Sequence, residues 1–283
     1  MEISKNYLSN FIEHALHEDI GDGDHTSLAC IPADKRGNAQ LLVKQDGILA
    51  GTDVARMVFE KLDPSYKFEL FINDGSRIKK GDIAFIVEAS VIGILTAERT
   101  VLNIMQRMSG IATQTNIYVE KLAGTKTQVL DTRKTTPGMR LLDKYAVKTG
   151  GGTNHRIGLF DMILIKDNHI DFAGGIEQAI EQTHQYLKSK NKNLNIEVEA
   201  RSLDDVKKIL SIGGIHRIML DNFDIAKTKE AVALIANRYE IESSGMITLE
   251  NIRDYALCGV DYISVGALTH QIKSLDLSLK ALF

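Results

Sequence analysis

The stretch IEVEARSLDDVKKILSIGGIHRIMLDNFDIAKTKEAVALIANRYEIESS, residues 196–244, decides the fold. Short apolar runs alternate in it with segments of helical spacing, and the runs end at Glu199, Asp221 and Glu242. The separations of 22 and 21 residues each accommodate one strand, one helix and two short loops. A further run, YISVG, ends at Gly266, 24 residues later. The pattern predicts a parallel sheet. The polar residues at the strand ends favour a (β/α) barrel over a doubly wound sheet, which would show the same alternation.

Two runs upstream fit the same pattern less regularly. QVLD ends at Asp131, and MILIK ends at Lys166. Ser202 and Thr248 precede two of the helical segments and are predicted to be their N-caps. Polar residues at the ends of successive parallel strands meet at the carboxyl-terminal mouth of a barrel, so we expect the site there.

The amino-terminal part has a different character. Residues from about 38 to 90 form short β-rich runs, such as AQLLVK and AFIVEAS, separated by turn signals, and they predict a small sheet domain. A long helical stretch follows at about 96–122, with an interruption expected near Ser109-Gly110. This stretch is predicted to join two domains.

Composition excludes several classes of protein. The 283 residues are 44% hydrophobic and carry a formal charge of −3, so neither disorder nor a generally basic nucleic-acid-binding surface is indicated. No apolar run suggests a membrane span or a signal peptide, and a cytoplasmic location is expected. Cys30 and Cys258 lack CxxC spacing and are predicted to be small packing residues.

Residues 131–169 contain the densest cluster of functional residue types. Seven lysines and arginines against four acidic residues give this block a local charge of +3. Lys144 and Lys148 lie four apart on a predicted helix, which is typical of a solvated face. The glycines at 150–152 do not match a nucleotide-binding motif, and a flexible turn or close backbone approach explains them equally well.

Two basic pairs in this block predict anion binding. Arg133-Lys134 and His155-Arg156 lie in predicted loops beside apolar strands. A guanidinium matches a carboxylate or a phosphate with two parallel hydrogen bonds, and a lysine adds a compact charge. Lys166 begins the sequence KDNH directly after a predicted strand, where these polar residues either cap the next helix or orient a substrate.

Glu199 and Asp221 lie at the ends of successive predicted strands. Two carboxylates in that position suit Mg²⁺ bound to a diphosphate substrate, although salt bridges to the basic loops are the alternative. No HExxH motif or His/Cys cluster indicates catalytic zinc.

Small residues follow the last two predicted strands. They predict a phosphate site built from backbone N–H groups, and they are Ser243, Ser244 and Gly245 after one strand and Val265, Gly266 and Ala267 after the other. Glu98-Arg99 in the long helical stretch is an exposed helical pair, or else Arg99 reaches the site of a neighbouring subunit.

Taken together, these residues resemble the quinolinate phosphoribosyltransferase family, also called nicotinate-nucleotide pyrophosphorylase (carboxylating). The resemblance covers nearly the whole chain, and its long central block is highly specific. The motifs that carry it are EDIGDGDHTS (18–27), AERTVLN (97–103), DTRKTTPGMR to IKDNH (131–169), IEVEA, MLDNF, ESSG and VGALTH.

The resemblance implies an α/β fold with an N-terminal α/β sandwich domain, residues 1–111, followed by an irregular open α/β barrel, residues 112–270. Residues 271–283 are expected to pack back on the first domain. It further implies a homodimer or a larger assembly, and a reaction that uses Mg²⁺, quinolinate and 5-phosphoribosyl 1-diphosphate. The products would be nicotinate mononucleotide, CO₂ and pyrophosphate. A molybdate-operon-type relative with another substrate and a noncatalytic phosphosugar-binding barrel are the alternatives.

The resemblance also implies roles for individual residues. Arg99 would reach the partner's site, and the quinolinate carboxylates would be held by Thr132, Arg133, Lys134, His155 and Arg156. Lys166, Glu199 and Asp221 would serve the phosphoribosyl substrate, with Glu199 and Asp221 as metal ligands. The 5-phosphate would be bound by Ser244, Gly245, Met246, Val265, Gly266 and Ala267, where Met246 replaces the family's usual glycine or asparagine and contributes only its backbone. Separately from the resemblance, the sequence offers no dedicated proton donor for C2, and Lys134 and water are the two candidates.

Overall fold

The computed structural model describes residues 3–282, which divide into two compact units. Unit 1 contains the described residues up to Asn116, residues Thr135–Gly151, and the chain from Leu268 onward. Unit 2 contains Ile117–Lys134 and Gly152–Ala267. The chain therefore passes between the units several times, and each unit is built from segments distant in sequence.

The helices and strands follow one another in an order that changes character after the long fourth helix. Up to that helix they are α1 (Lys5–Ile20), α2 (His25–Cys30), β1 (Arg36–Val43), β2 (Gly47–Ile48), α3 (Thr52–Leu62), β3 (Lys67–Leu70), β4 (Arg77–Ile78), β5 (Ile83–Ser90) and α4 (Val91–Lys121). After it come β6 (Gln128–Leu130), α5 (Arg140–Thr149), β7 (Ile163–Ile165), α6 (Asp167–Ala173), α7 (Ile176–Ser189), β8 (Ile196–Ala200), α8 (Leu203–Ile212), β9 (Arg217–Asp221), α9 (Ile225–Ile235), β10 (Glu240–Ser244), α10 (Ile252–Ala256), β11 (Tyr262–Ser264), α11 (Ala267–His270) and β12 (Leu277–Leu282).

Unit 1 is organised around an antiparallel sheet of order β12-β1-β5-β3. Buried and more exposed residues alternate along β1, as expected for a strand with one face on a core. Phe59 of α3 lies 6.3 Å from Phe85 of β5, measured between ring centroids, and Phe68 of β3 lies 4.4 Å from Phe85. A helix thus packs on one face of the sheet through an aromatic cluster.

Unit 2 contains a parallel sheet of order β6-β11-β10-β9-β8-β7. β6 and β7 lie at opposite edges of this hydrogen-bonded order, so the sheet remains open. Helices connect the successive parallel strands from β7 to β11, as parallel pairing requires. The predicted fold class, an amino-terminal α/β sheet domain followed by an open parallel α/β domain, is confirmed.

Some local predictions are confirmed and others are wrong. The Ser202 hydroxyl caps α8 by accepting the Asp205 N–H at 3.1 Å, but Asn251, not Thr248, precedes α10. α4 runs through Ser109-Gly110 without interruption. A Cβ at Gly110 would overlap the carbonyl oxygen of Lys273, so this glycine serves close packing and not a helix break.

The two cysteines differ in environment. Cys258 is buried, as predicted, whereas Cys30 is exposed, so the prediction of a packing role was wrong for Cys30. Among residues 3–282, no helix combines the length and the apolar character needed to cross a bilayer.

Candidate active site

Most of the predicted site residues lie at the carboxyl-terminal ends of the parallel strands in unit 2. They are Thr132, Arg133 and Lys134 after β6, Lys166 after β7, Glu199 in β8, Asp221 at the end of β9, Ser244, Gly245 and Met246 at and after the end of β10, and Val265, Gly266 and Ala267 after β11. His155 and Arg156 lie between β6 and β7. Because parallel strands end at the same edge of a sheet, the fold gathers these residues on one side.

Glu199 and Asp221 form the carboxylate part of the site. They come from neighbouring strands, since β8 and β9 pair directly. Burial raises the pKa of Glu199, and the negative charge of Asp221 raises it further. Two acidic groups that repel each other at an open strand end provide the oxygen ligands that Mg²⁺ prefers. The donor set therefore fits the predicted metal.

Lys166 is the cation next to this acidic pair. Its Nζ lies 3.9 Å from Glu199 Oε2, and its side chain is half exposed. The backbone N–H of Lys166 donates to His169 Nδ1 at 3.0 Å, so His169 caps the start of α6. The KDNH sequence therefore caps the next helix through His169, while the Lys166 ammonium lies beside Glu199.

The backbone turn after β10 has an unusual conformation. Gly245 and Met246 both have positive φ, 89° and 51°, and Met246 is 79% exposed. A Cβ at Gly245 would overlap the Asn222 side chain. The departure of Met246 from glycine or asparagine thus falls at a left-handed position, which those two residues adopt more readily than methionine does.

The two predicted anion-binding arginines influence each other. Burial lowers the pKa of Arg156, and the charge of Arg133 lowers it further. The Arg156 Nη1 donates to the carbonyl oxygen of Met162 at 3.2 Å, which fixes the side chain, while Arg133 is exposed. Two neighbouring guanidinium groups have the charge and the hydrogen-bond donors that an anion with more than one negative charge would need.

His155 is buried and has carboxylate partners within the protein. Its Nε2 lies 2.9 Å from Glu197 Oε2 and 3.4 Å from Glu242 Oε2. The Arg156 N–H donates to His155 Nδ1 at 2.7 Å, so Nδ1 carries no proton and the ring proton lies on Nε2, which faces the two carboxylates. These are interactions that the sequence analysis did not foresee.

Three charged residues of this region were missed as functional candidates: Glu197, Arg217 and Glu242. Glu242 was expected at the end of its strand, but β10 continues to Ser244 and leaves Glu242 fully buried. The signal that would have revealed Glu197 is its spacing of two from Glu199, which places both carboxylates on the same face of β8.

The remaining candidates lie in unit 1. Lys144 is fully buried, so the prediction of a solvated face was wrong for it, whereas Lys148 is exposed. Arg99 donates to the neighbouring Glu98 carboxylate at 2.8 Å and has an exposed side chain. Gly150 ends α5, and a Cβ there would overlap the Ala112 carbonyl oxygen, which supports the close-approach interpretation of the triple glycine.

Comparison with known proteins connects this arrangement to one family. Models of the quinolinate phosphoribosyl transferase N-terminal and C-terminal domains match residues 24–109 and 111–280. The chain is 46% identical over 288 aligned residues to a protein of Nicotiana tabacum named quinolinate phosphoribosyltransferase [decarboxylating] 2b, mitochondrial, with 96% of this chain and 82% of the relative covered. This chain belongs to the quinolinate phosphoribosyltransferase family.

Bacterial members of the quinolinate phosphoribosyltransferase family match along their whole length. The nicotinate-nucleotide pyrophosphorylase [carboxylating] of Mycobacterium leprae is 42% identical over 274 residues, which cover 95% of both chains. The crystal structure of NadC from Streptococcus pyogenes superimposes with a TM-score of 0.93 at 38% identity and full coverage of both chains. The family thus accounts for both units of the fold and for the resemblance seen in the sequence.

Proposed function

We propose that this protein transfers the phosphoribosyl group of 5-phosphoribosyl 1-diphosphate to quinolinate with loss of CO₂. Nicotinate mononucleotide and pyrophosphate are the other products, which is a step of NAD biosynthesis. The observation that carries the proposal is the pair of mutually repelling arginines, Arg133 and Arg156, on the same side of the sheet as the acidic pair Glu199 and Asp221. The first pair suits a small dianion, and the second suits a metal-bound diphosphate.

Arg133, Lys134 and Arg156 bind the two carboxylates of quinolinate, with the Thr132 hydroxyl beside them. The Thr132 Oγ1 accepts the Lys134 N–H at 3.1 Å, which stabilises the turn that presents the two basic side chains. His155 lies next to Arg156 in the same loop segment and contributes by holding that segment in place. The cationic groups must hold the ring so that its nitrogen faces C1 of the ribose, because positioning supplies much of the rate enhancement of a two-substrate reaction.

Lys166, Glu199 and Asp221 act on the phosphoribosyl substrate. Glu199 and Asp221 would hold Mg²⁺, which offsets the negative charge that grows on the departing pyrophosphate. The Lys166 ammonium adds a second positive charge beside Glu199. Backbone N–H groups of the two turns that start at Ser244 and Val265 bind the 5-phosphate, including the turn at Met246.

The order of the two chemical events follows from charge. Attack of the ring nitrogen on C1 breaks the bond to pyrophosphate and leaves a pyridinium ring. Loss of CO₂ from C2 then leaves an electron pair next to a positively charged nitrogen, which stabilises it. A proton must replace the lost carboxylate, and the Lys134 ammonium is our candidate donor.

We further propose that the protein is a homodimer in which Arg99 of each chain completes the site of the other. Its guanidinium is exposed and bonds within its own chain only to the adjacent Glu98 among the hydrogen bonds of residues 3–282. Mixing inactive Arg99→Ala with inactive Glu199→Ala subunits should restore part of the activity. No recovery after confirmed subunit exchange would refute this arrangement.

The cytoplasm is the proposed location. Plant relatives carry names that place them in mitochondria or chloroplasts. The molybdate-operon-type and noncatalytic alternatives gain no support from these comparisons, which are with quinolinate phosphoribosyltransferases and nicotinate-nucleotide pyrophosphorylases.

The decisive experiment is an assay with quinolinate, 5-phosphoribosyl 1-diphosphate and Mg²⁺. Release of CO₂ and formation of nicotinate mononucleotide are expected, and chelation of the metal should stop both. Nicotinate in place of quinolinate is the control substrate, and turnover of nicotinate without turnover of quinolinate would refute the proposal. Tight binding of both substrates without product would instead support a noncatalytic barrel.

A further inference from the structure

A group of buried charged residues lies inside unit 2 and includes His155, one of the residues assigned to quinolinate. His155 is 9% exposed, and Glu197 and Glu242 are fully buried. The Arg217 Nη1 donates to Glu242 Oε2 at 3.1 Å, and its Nη2 donates to Glu240 Oε2 at 3.0 Å. Burying charged groups costs free energy unless the charges compensate each other, so a functional role for this group is worth considering.

The group holds one short segment of chain, Asn154–Arg156. Asp131, also fully buried, accepts the Asn154 Nδ2 at 2.6 Å and the His155 N–H at 2.9 Å. The imidazole is held from its other side, where Glu197 of β8 and Glu242 of β10 contact its Nε2. Carboxylates from three different strand regions therefore fix this segment.

The segment in turn fixes Arg156. The Arg156 N–H donates to His155 Nδ1 at 2.7 Å, so the imidazole links the buried carboxylates to the backbone of the arginine. The charge of Glu197 also favours the cationic form of Arg156 and opposes the effect of Arg133. Negative charges behind the segment thus offset the repulsion between the two guanidinium groups before substrate arrives.

We propose that Glu197 and Glu242 are positioning residues for quinolinate, which hold Arg156 in place through His155. The inference rests on the function proposed above and extends it to residues that do not touch the substrate. Their buried carboxyl groups act through close contacts with the His155 imidazole. Orienting groups of this kind behind the residues that contact a ligand determine how well those residues are preorganised.

The same side chains have the composition of a metal site, since one nitrogen and two carboxylate oxygens lie within 4.8 Å of one another. The close contacts and the ion pair with Arg217 favour a metal-free group instead. His155 Nε2 and Glu197 Oε2 are at hydrogen-bond distance, and the guanidinium of Arg217 already supplies a positive charge to Glu242. Metal analysis of the purified protein separates the two possibilities, and a stoichiometric ion lost in Glu242→Gln would overturn the proposal.

The kinetic test compares Glu197→Gln, Glu242→Gln and His155→Asn with Glu240→Gln. Glu240 is the matched control because it lies on the same strand as Glu242 and bonds to Arg217 but has an exposed side chain. Each of the three test variants should raise the quinolinate KM roughly tenfold or more, with the KM for 5-phosphoribosyl 1-diphosphate changed less than about twofold. Glu240→Gln should change neither KM, and equal rises in both KM values in the test variants would overturn the proposal.

A double variant tests whether Glu242 acts through His155. If it does, His155→Asn with Glu242→Gln should bind quinolinate no more weakly than His155→Asn alone, because the contact is already lost. Independent, multiplying losses would overturn the proposal. This comparison remains available if Glu197→Gln fails to fold.

Hydrogen exchange measures the positioning without any substrate. The amides of His155 and Arg156 should be protected from exchange in the wild type and in Glu240→Gln. They should exchange at least tenfold faster in Glu242→Gln, because the segment that carries them is then no longer anchored. Unchanged protection in Glu242→Gln would overturn the inference. Absence of quinolinate turnover by a wild type that shows the expected protection would instead count against the proposed function.

Discussion

Replacement of Arg107 by methionine should destabilise unit 1, because it leaves a buried carboxylate without its main partner. Asp143 of α5 is fully buried, and it accepts Arg107 Nε at 2.9 Å and Nη2 at 2.8 Å. Asp143 also accepts the Thr136 N–H at 3.1 Å. The two side chains thus form a bidentate ion pair between α4 and α5.

The size of the effect follows from the burial of the pair. Removal of one partner from a buried ion pair costs about 3 to 5 kcal/mol, because the other charge stays buried without compensation. The Arg107 side chain is 19% exposed, so the expected loss of stability lies at the lower end of that range, about 3 kcal/mol. For a chain of 283 residues, that loss corresponds to a decrease in Tm of roughly 5 °C.

Thermal unfolding of two variants and a control tests the reasoning. Arg107→Met with Asp143→Leu should regain most of the lost stability, because both charges are then gone and the exposed Thr136 N–H can bond to water. Lys61→Met breaks an ion pair with Glu13 of 3.1 Å in which the partners are 33% and 69% exposed, and it should cost less than about 1 kcal/mol. The argument would be refuted if the Tm of Arg107→Met lay within about 2 °C of the wild-type value, which corresponds to a loss of about 1 kcal/mol or less. It would also be refuted if the double variant were less stable than the single one.

Four further changes have defined outcomes. Arg133→Ala should raise the quinolinate KM roughly tenfold to a hundredfold and the phosphoribosyl diphosphate KM much less; steady-state kinetics with each substrate varied will show whether the losses are equal. Gly150→Ala should lower the free energy of unfolding by about 1 to 3 kcal/mol in a denaturant titration, since its Cβ overlaps backbone although its φ of −76° suits alanine. Met246→Asn should raise the free energy of unfolding by roughly 0.5 to 1 kcal/mol, and the Tm slightly with it, because asparagine tolerates the left-handed conformation; an unchanged Tm would mean that the turn is not strained. Hydrogen bonds from Ser65 and Ser90 lower the pKa of Asp63 to about 2, so its contribution to stability is complete above the ordinary value near 3.8 and is lost as the pH falls through 2. The Asp63→Asn variant should accordingly be less stable than the wild type at pH 6, and acid titration of both should show that difference shrink towards pH 2.

The repeated βα pattern was predictable because it is local. The spacing between Glu199 and Asp221 already contains the strand, the helix and the loops, and the cap at Ser202 needs only its own neighbours. Once the strands are parallel, their ends must lie at one edge, and the site residues follow from the fold.

Two of the predictions that failed depended on distant segments, and others, such as the cap at Thr248, failed locally. Gly110 looks like a helix interruption until the chain near Lys273 packs against it, and nothing near position 110 in the sequence indicates that contact. Lys144 has the spacing of a solvated helix face, yet the fold buries it completely. The end of β10 was placed two residues early because a charge in a strand was assumed to mark its end, whereas Glu242 is charged, buried and still within the strand.

Charged residues that lie within a strand, and not at its end, place polar side chains at two levels of the candidate site. Glu197 and Glu199 are two apart in β8, so both point to the same face, and their positions along the strand differ by the rise of two residues. Glu199, nearer the strand end, lies within 3.9 Å of Lys166 and serves the proposed metal, whereas Glu197, one step behind it, contacts His155. β10 repeats the arrangement with Ser244 at its end and Glu242 behind. On the proposed assignments, each of these strands supplies one polar residue to the substrate or its metal and a second to the group that holds His155 and Arg156. A substitution at the deeper position should therefore impair substrate recognition without removing a contact to the substrate.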